Sequence, residues 1–347
     1  MRRRALLAAT ALAWRAHALE PRKLQFPRDH GSHPDLRTEW WYVTGFAQSG
    51  AREFGFQVTF FRSRVDEAQP LASAFAAKQL VFAHAAITDV QGKRLWHDQR
   101  IARAGFGVAQ ADEDDLRIRL RDWSLVREAD GSFTARLPAR EFALELRFAP
   151  KQPPLPQGRD GLSRKGPSPE QASYYYSVPQ LAASGTLTLQ GRSFPVRGKG
   201  WLDHEWSEAL LDANAVGWDW IGMNLDDGSA LTAFQLRRAD GSPLWDGGSF
   251  RPGGGSTYVA QVGETQFRAG RHWTSPASGA SYPVEWTVRT PADFYTVRAV
   301  VDDQELDSRA STGAIYWEGL SDLVDSNGRR VGRGYLEMTG YAKRLRL

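Results

Sequence analysis

Glu39-Trp40-Trp41-Tyr42-Val43-Thr44-Gly45 and Gly217-Trp218-Asp219-Trp220-Ile221-Gly222 read as two copies of one strand. In each, a Trp stands four positions before a Gly: Trp41 before Gly45, and Trp218 before Gly222. Each is followed by Phe-Gln-aliphatic, Phe56-Gln57-Val58 and Phe234-Gln235-Leu236, with one residue of slippage. The spacing between the copies is far longer than a solenoid repeat, so it points to two similar domains rather than an array. A glycine in a strand beside large aromatics suits a sharply bent barrel strand, where a neighbouring ring covers the missing side chain. Chance is the competing account, because short Trp/Gly matches arise easily; the two-part match favours duplication.

The remainder of the chain agrees with a β architecture. Phe54 to Phe61, Leu116 to Leu120, Phe142 to Phe148, Thr186 to Leu189, Ala230 to Leu236, Tyr282 to Val288, Tyr295 to Val301 and Gly334 to Tyr341 are short and rich in branched or aromatic residues. Several alternate polar with apolar, as half-buried strands do. Asp130-Gly131, Asp227-Gly228, Asp240-Gly241 and Asn327-Gly328 supply turns between them. Leu71 to Ala77 admits only a short helix, and long amphipathic helices are missing from the pattern, which argues against a doubly wound fold. Pro150 to Pro169 is charged, rich in Pro and Gly and almost without aliphatic residues, so it reads as a long surface loop.

Of 347 residues, 44 are Lys or Arg and 40 Asp or Glu, a formal charge of +4. Much of that excess sits at the start. Arg2-Arg3-Arg4, a short apolar run from Ala5 to Trp14, and Ala16-His17-Ala18 form the pattern of a cleavable export signal. Cleavage after Ala18 removes four arginines and leaves a formal charge of zero, so nothing electrostatic favours a nucleic-acid partner. The expected product is an extracytoplasmic, periplasmic protein. The chain has no cysteine, which excludes disulfides, thiolate metal sites and cysteine nucleophiles. No later segment is long and apolar enough for a transmembrane helix.

Three constellations carry possible chemistry. Asp29, His30, His33 and Asp35 lie in the coil Phe26 to Asp35. They include metal-ligand types, yet the stretch reads better as a plug over a barrel end, and no metal or cofactor is expected. In Gly198-Lys199-Gly200-Trp201-Leu202-Asp203-His204-Glu205-Trp206, a strand would turn Trp201, Asp203 and Glu205 to one face and Leu202, His204 and Trp206 to the other. Such a mixture of acids, imidazole and indoles suits a cavity wall, while a buried network locking two domains is the structural alternative. Asp219 between two tryptophans, Asp303 to Asp307, and Tyr316-Trp317-Glu318-Gly319 place carboxylates beside aromatic rings. There they become either acids of raised pKa or partners of buried arginines. There is no phosphate loop, nucleophile elbow or His-Glu-x-x-His motif.

Taken with Phe26-Pro27-Arg28-Asp29-His30-Gly31, Tyr174-Tyr175-Tyr176-Ser177 and Asp303-Gln304-Glu305-Leu306-Asp307-Ser308, these motifs make the chain from Phe26 onward resemble the AttH-like branch of the CrtC family. The resemblance implies an all-β protein of two lipocalin-like antiparallel barrels, 19–207 and 208–347. Family members divide between carotenoid hydratases, which add water to an isoprenoid double bond without a redox cofactor, and exported proteins linked with ABC-transporter components. His204 and Trp206 match the His and Trp of the hydratases. Their Tyr and Asp on a following strand have no counterpart in the apolar Ala230-Leu231-Thr232-Ala233-Phe234, which argues against hydratase activity. The expected function is therefore binding of a hydrophobic molecule, a lipid or isoprenoid, with ABC-transporter membrane components as partners. The rival is a cofactor-independent hydratase, and the third reading is a purely structural subunit. The expected ligand-binding residues are Trp41, Trp201, Trp206, Trp218, Asp219, Tyr316 and Glu318; the expected acid–base residues are Asp203, His204 and Glu205.

Overall fold

The computed structural model describes residues 18–345, so the expected export segment lies, up to residue 17, outside them. The first sheet is built from β1 (Thr38–Ser49), β2 (Arg52–Arg64), β3 (Gln79–Asp89), β4 (Arg94–Arg103), β5 (Ala109–Ala111), β6 (Arg117–Leu120), β7 (Trp123–Arg127), β8 (Phe133–Pro138), β9 (Phe142–Ala149), β10 (Leu155–Pro156), β11 (Leu162–Arg164), β12 (Ala172–Leu189) and β13 (Arg192–Ala209). The second contains β14 (Gly217–Leu225), β15 (Ala230–Arg237), β16 (Pro243–Arg251), β17 (Tyr258–Val259) and β18 (Gln266–Ala269). After the small hairpin β19 (His272–Thr274) and β20 (Ser281–Pro283), it resumes with β21 (Glu285–Arg289), β22 (Phe294–Ala299), β23 (Glu305–Asp307), β24 (Ile315–Val324) and β25 (Arg330–Met338). Among the described residues there is no α-helix, only two 3₁₀ turns.

Each sheet is organised by the same device: its first strand pairs with both the second and the last. β1 lies between β2 and β13, and β14 lies between β15 and β25, all antiparallel. The first sheet curls into a nearly closed barrel, its edges β4 and β5–β6 approaching each other. The second is a half-barrel with edges at β17 and β18. Strand alternation decides what each face buries. In β9, Phe142, Leu144, Leu146 and Phe148 point into the first barrel while Glu145 and Arg147 face water. β1 is different because both faces are apolar: Trp41 and Val43 enter the barrel core, and Trp40 and Tyr42 pack outward. That outward face meets the second sheet in a third core containing Trp201, Trp220, Phe234, Leu320 and Tyr335.

Buried hydrogen bonds fix the joint. Asn224 donates to the Gly200 carbonyl at 3.0 Å and accepts from the Gln180 backbone at 2.7 Å. The Gln180 side chain donates to the carbonyls of Leu225 and Ser229 at 2.9 and 2.8 Å. Separating the barrels without water entering would orphan these groups at about 1–3 kcal/mol each.

Two expectations change. The repeated motifs occupy corresponding strands, but Trp41 points into its own barrel whereas Trp218 points out of its own, towards the joint. Side chains alternate with period two, so a match displaced by one residue inverts the face. The position matching Trp218 by face is Trp40, and Tyr42 matches Trp220. Gly222 lies beneath the Trp220 and Trp201 rings, where a Cβ would sit 2.3 and 3.1 Å from them. The second change concerns Pro150 to Pro169, which is not a free surface loop. Its β10 and β11 pair with β12, Leu155 is buried, and Gln157 binds Ser177 and Ser249 across the joint. Polar anchoring substitutes for the aliphatic content that the sequence lacks. The division expected at 207/208 falls within the last residues of β13.

Candidate functional site: the cavity between the barrels

The two faces of β13 build two unlike polar centres. On the inner face, His204 stacks on Trp41 with ring centroids 4.6 Å apart. Its Nδ1 meets the Asp29 carbonyl at 3.0 Å and its Nε2 meets Glu39 Oε1 at 2.9 Å. The carbonyl only accepts, so Nδ1 carries a proton, and one further proton lies on the Nε2–Glu39 contact. Burial pushes the imidazole down, to about 4, while Glu39 pulls the other way. Glu39 is fully buried and surrounded by donors: Arg62 Nε at 2.8 Å, Ser32 Oγ at 2.9 Å, His33 Nδ1 at 2.8 Å and the His33 backbone. Burial works to raise it, but the bonds from His204 and His33 and the Arg62 charge hold it well below the usual carboxylate range. The coil expected to plug the barrel supplies His33, which also reaches Asp29 at 3.0 Å, and His30, whose Nδ1 lies 2.7 Å from the Tyr176 hydroxyl. His33, Glu39 and His204 carry ligand-type atoms within 4.8 Å of one another, but hydrogen bonds already account for each of those atoms.

The outer face opens on a cavity of about 1240 Å³ between the barrels. Trp40, Tyr42, Phe61, Phe82, Trp218, Trp220, Phe234 and Leu236 supply its apolar walls. Asp203, Glu205, Glu318, Glu337 and Lys165 are among its charge-bearing groups, with Arg37, Arg64 and Glu208 also in the lining. Lys165, from the segment anchored on β12, lies 3.0 Å from Glu205 and 4.3 Å from the Phe234 ring centre. Among the described residues Asp203 has no cation. It accepts from Trp201 Nε1 at 2.8 Å, from Tyr175 at 2.9 Å and from Ser177. Burial nevertheless raises its carboxyl to about 7, and the Glu205 charge adds to the rise. Glu318 and Glu337 face each other across β24 and β25. Burial and the Glu337 charge push Glu318 well above its ordinary value. Burial and the charges of Asp203 and Glu205 raise Glu337 to about 7. Glu337 has only partial exposure, and the opening it faces is the cavity. Gln57 donates to Glu318 Oε2 at 2.8 Å and the Tyr42 hydroxyl lies beside the same carboxyl, while Gln57 Oε1 is buried without a partner among the described residues.

The expected site residues therefore separate. Asp203, Glu205, Trp218, Tyr316 and Glu318 line the cavity, with Trp201 behind its wall against Trp220 and Asp203. His204, Trp41 and Trp206 belong to the inside of the first barrel, where Trp206 stacks on His33 at 4.0 Å. Asp219 lies inside the second barrel, with Arg237 Nε at 2.8 Å and bonds from Gln235 and Tyr341. Glu337, Lys165, Tyr175 and Tyr42 were not singled out from sequence as site residues. Alternation in Tyr335-Leu336-Glu337-Met338 places Glu337 beside Tyr335, but no local signal brings that face to β13.

A sequence model of the AttH-like family matches residues 17–341. The chain belongs to the AttH-like family. A crystal structure of an AttH from Nitrosomonas europaea is 46% identical, with a TM-score of 0.87 over 93% of this chain and 99% of that one. Kievitone hydratase from Nectria haematococca is 11% identical, with a TM-score of 0.70 over 94% of this chain and 98% of its own. CghA, solved with Sch210972, is 13% identical, with a TM-score of 0.56 over 87% and 88%. The last two share the fold alone. No curated protein matches the sequence.

Proposed function

We propose that this AttH-like protein binds a largely apolar molecule in the inter-barrel cavity and holds the molecule's polar end at Glu318. The observation that carries the reading is the pairing of aromatic walls with the buried Glu318 carboxyl, which faces Glu337 and has no cation beside it among the described residues. Aromatic walls give large contact area, and a few polar groups give orientation. An exported, periplasmic location and hand-over to ABC-transporter membrane components belong to the same reading. Mass spectrometry of molecules extracted from purified protein should find an apolar compound bearing a hydroxyl or carbonyl. A fluorescent apolar probe should bind saturably and be displaced by that extract; a probe that never saturates defeats the reading.

Hydratase-type chemistry is the second reading, and the same carboxyl favours it. A neutral Glu318 beside an alkene donates its proton to one carbon, the aromatic walls face the cation formed at the other, and water adds there. The water's surplus proton returns to a carboxylate, which restores the acid. The hydratases' missing Tyr and Asp are not required, because the acid comes from β24. Glu318→Gln should lower any alkene hydration by on the order of a hundredfold while keeping probe binding. Equal turnover in the variant would remove Glu318 from the chemistry.

A further inference from the structure

Two neighbouring loop tips at one end of the first barrel carry no charge, although Asp66, Glu67 and Lys78 stand at the base of the first. Pro70 to Phe75, between β2 and β3, is exposed throughout, and so is Gly105 to Val108, between β4 and β5. Phe75 is 75% exposed and Phe106 61%, yet their rings stack on each other at 5.5 Å. The Arg103 guanidinium lies 3.9 Å from the Phe106 ring centre and reaches the Ala74 carbonyl. Gly105 and Gly107 flank Phe106 with left-handed φ of 100° and 68°, so the loop turns tightly beneath an outward phenyl ring. In a chain that is 24% charged, two adjoining uncharged loop tips that leave their largest side chains in water are out of keeping with a plain surface.

The loops also continue the cavity wall. Ile101 pairs with Phe82, and Arg103 pairs with Leu80, across β3 and β4. Leu80, Phe82 and Ile101 all line the cavity. An apolar track therefore runs from the cavity along the outer face of β3 and β4 to the Phe75–Phe106 pair. A second copy of the chain is a poor occupant. A whole Phe presents roughly 150–250 Å², so Leu71, Phe75, Ile101, Phe106 and Val108 at their partial exposures offer on the order of 400–500 Å². A stable protein interface needs about 800 Å² per partner. A bilayer needs no complementary surface, only apolar tips and a cation level with the headgroups.

We propose that the Phe75–Phe106 tip docks on a phospholipid bilayer, with both rings at the acyl boundary and Arg103 at the phosphates, so that the cavity mouth opens beside the lipid. The purpose of docking rests on the reading of the cavity as a site for apolar molecules; the docking itself does not. The chain lacks cysteine, so Ala72→Cys carries a single environment-sensitive label on the tip, and Ser256→Cys carries one on an exposed loop of the second sheet. With vesicles of phosphatidylcholine and phosphatidylglycerol, the Ala72→Cys label should shift to the blue and become shielded from iodide, and the Ser256→Cys label should do neither. Adding Phe75→Ser and Phe106→Ser together should weaken vesicle binding at least about tenfold, since burying one Phe contributes roughly that much. Those residues lie in exposed loops, so probe binding in the cavity should persist. A tip label that remains exposed to iodide overturns the proposal, as does shielding that follows protein concentration without vesicles, which would mean self-association. Docking without probe binding would instead fault the cavity reading alone.

Discussion

Glu39 and Glu318 are the same residue, fully enclosed, in two parts of the molecule, and their protons behave in opposite ways. Inside the first barrel, Glu39 accepts from Arg62, Ser32 and His33, shares a proton with His204 and titrates well below the usual carboxylate range. In the cavity, Glu318 accepts from Gln57 with the Tyr42 hydroxyl beside it, faces Glu337 and is pushed well above its ordinary value. Burial is common to both, so it cannot decide the outcome alone; the supply of donors and cations does. The first barrel spends its buried charge on a closed lock. The cavity leaves Glu318 without a cation among the described residues and faces it with aromatic rings.

The contrast is open to direct attack. Glu39→Gln removes the anion and leaves the buried Arg62 unpaired, which should cost about 3–5 kcal/mol in urea unfolding; a cost below about 1 kcal/mol would show that the lock is not one. Trp206→Ala should follow at about 3 kcal/mol of stability for lost core volume, with probe affinity unchanged in the folded variant. A Trp206→Ala protein of normal stability but poor binding would return the site to the inside of the barrel.

The pH dependence sharpens the same comparison. Asp203 ionises near 4 when unfolded but near 7 when folded. Between those values the folded state holds a proton that the unfolded state has lost. The stability of the wild type relative to Asp203→Asn should therefore fall by ~1.4 kcal/mol per pH unit from about pH 4 to about pH 7, then level off. Glu39 has the reverse sign: its folded value is lowered, so its contribution is present above about 4.5 and is lost as pH falls through the folded value. Parallel stability curves for wild type and Asp203→Asn would remove the raised acid from the cavity. The smallest effect is Trp218→Ala, which should weaken apolar probe binding about tenfold, ~1.4 kcal/mol, with little change in unfolding.

Much of this fold was legible because strands announce themselves by alternation. Phe142 to Phe148 and Ala230 to Leu236 were readable as strands, and the same rule divided Asp203 and Glu205 from His204 and Trp206. The repeat motif identified corresponding strands but misjudged the face, since a match shifted by one residue preserves composition and inverts direction. The cavity was legible only in part. Glu318 and Trp218 stand out as polar and aromatic neighbours, whereas Glu337 and Lys165 acquire meaning when the outer faces of two sheets meet. That meeting is non-local. Lys165 was hidden further, because hydrogen bonds hold its segment where aliphatic residues would have been recognised.

The pairing of β1 with β13 also sets a timetable. Glu39 and His204, bonded in the finished protein, are 165 residues apart in the chain. A ribosome releases the polypeptide from its N-terminus, so β1 must wait with its aromatic side chains and one unpaired edge until about three fifths of the 347 residues have emerged. Contacts of such long range form slowly, and a waiting aromatic edge is a surface on which nascent chains stick together. The closure that gives the finished barrel its buried lock makes its first strand the part of the newborn chain most in need of a chaperone.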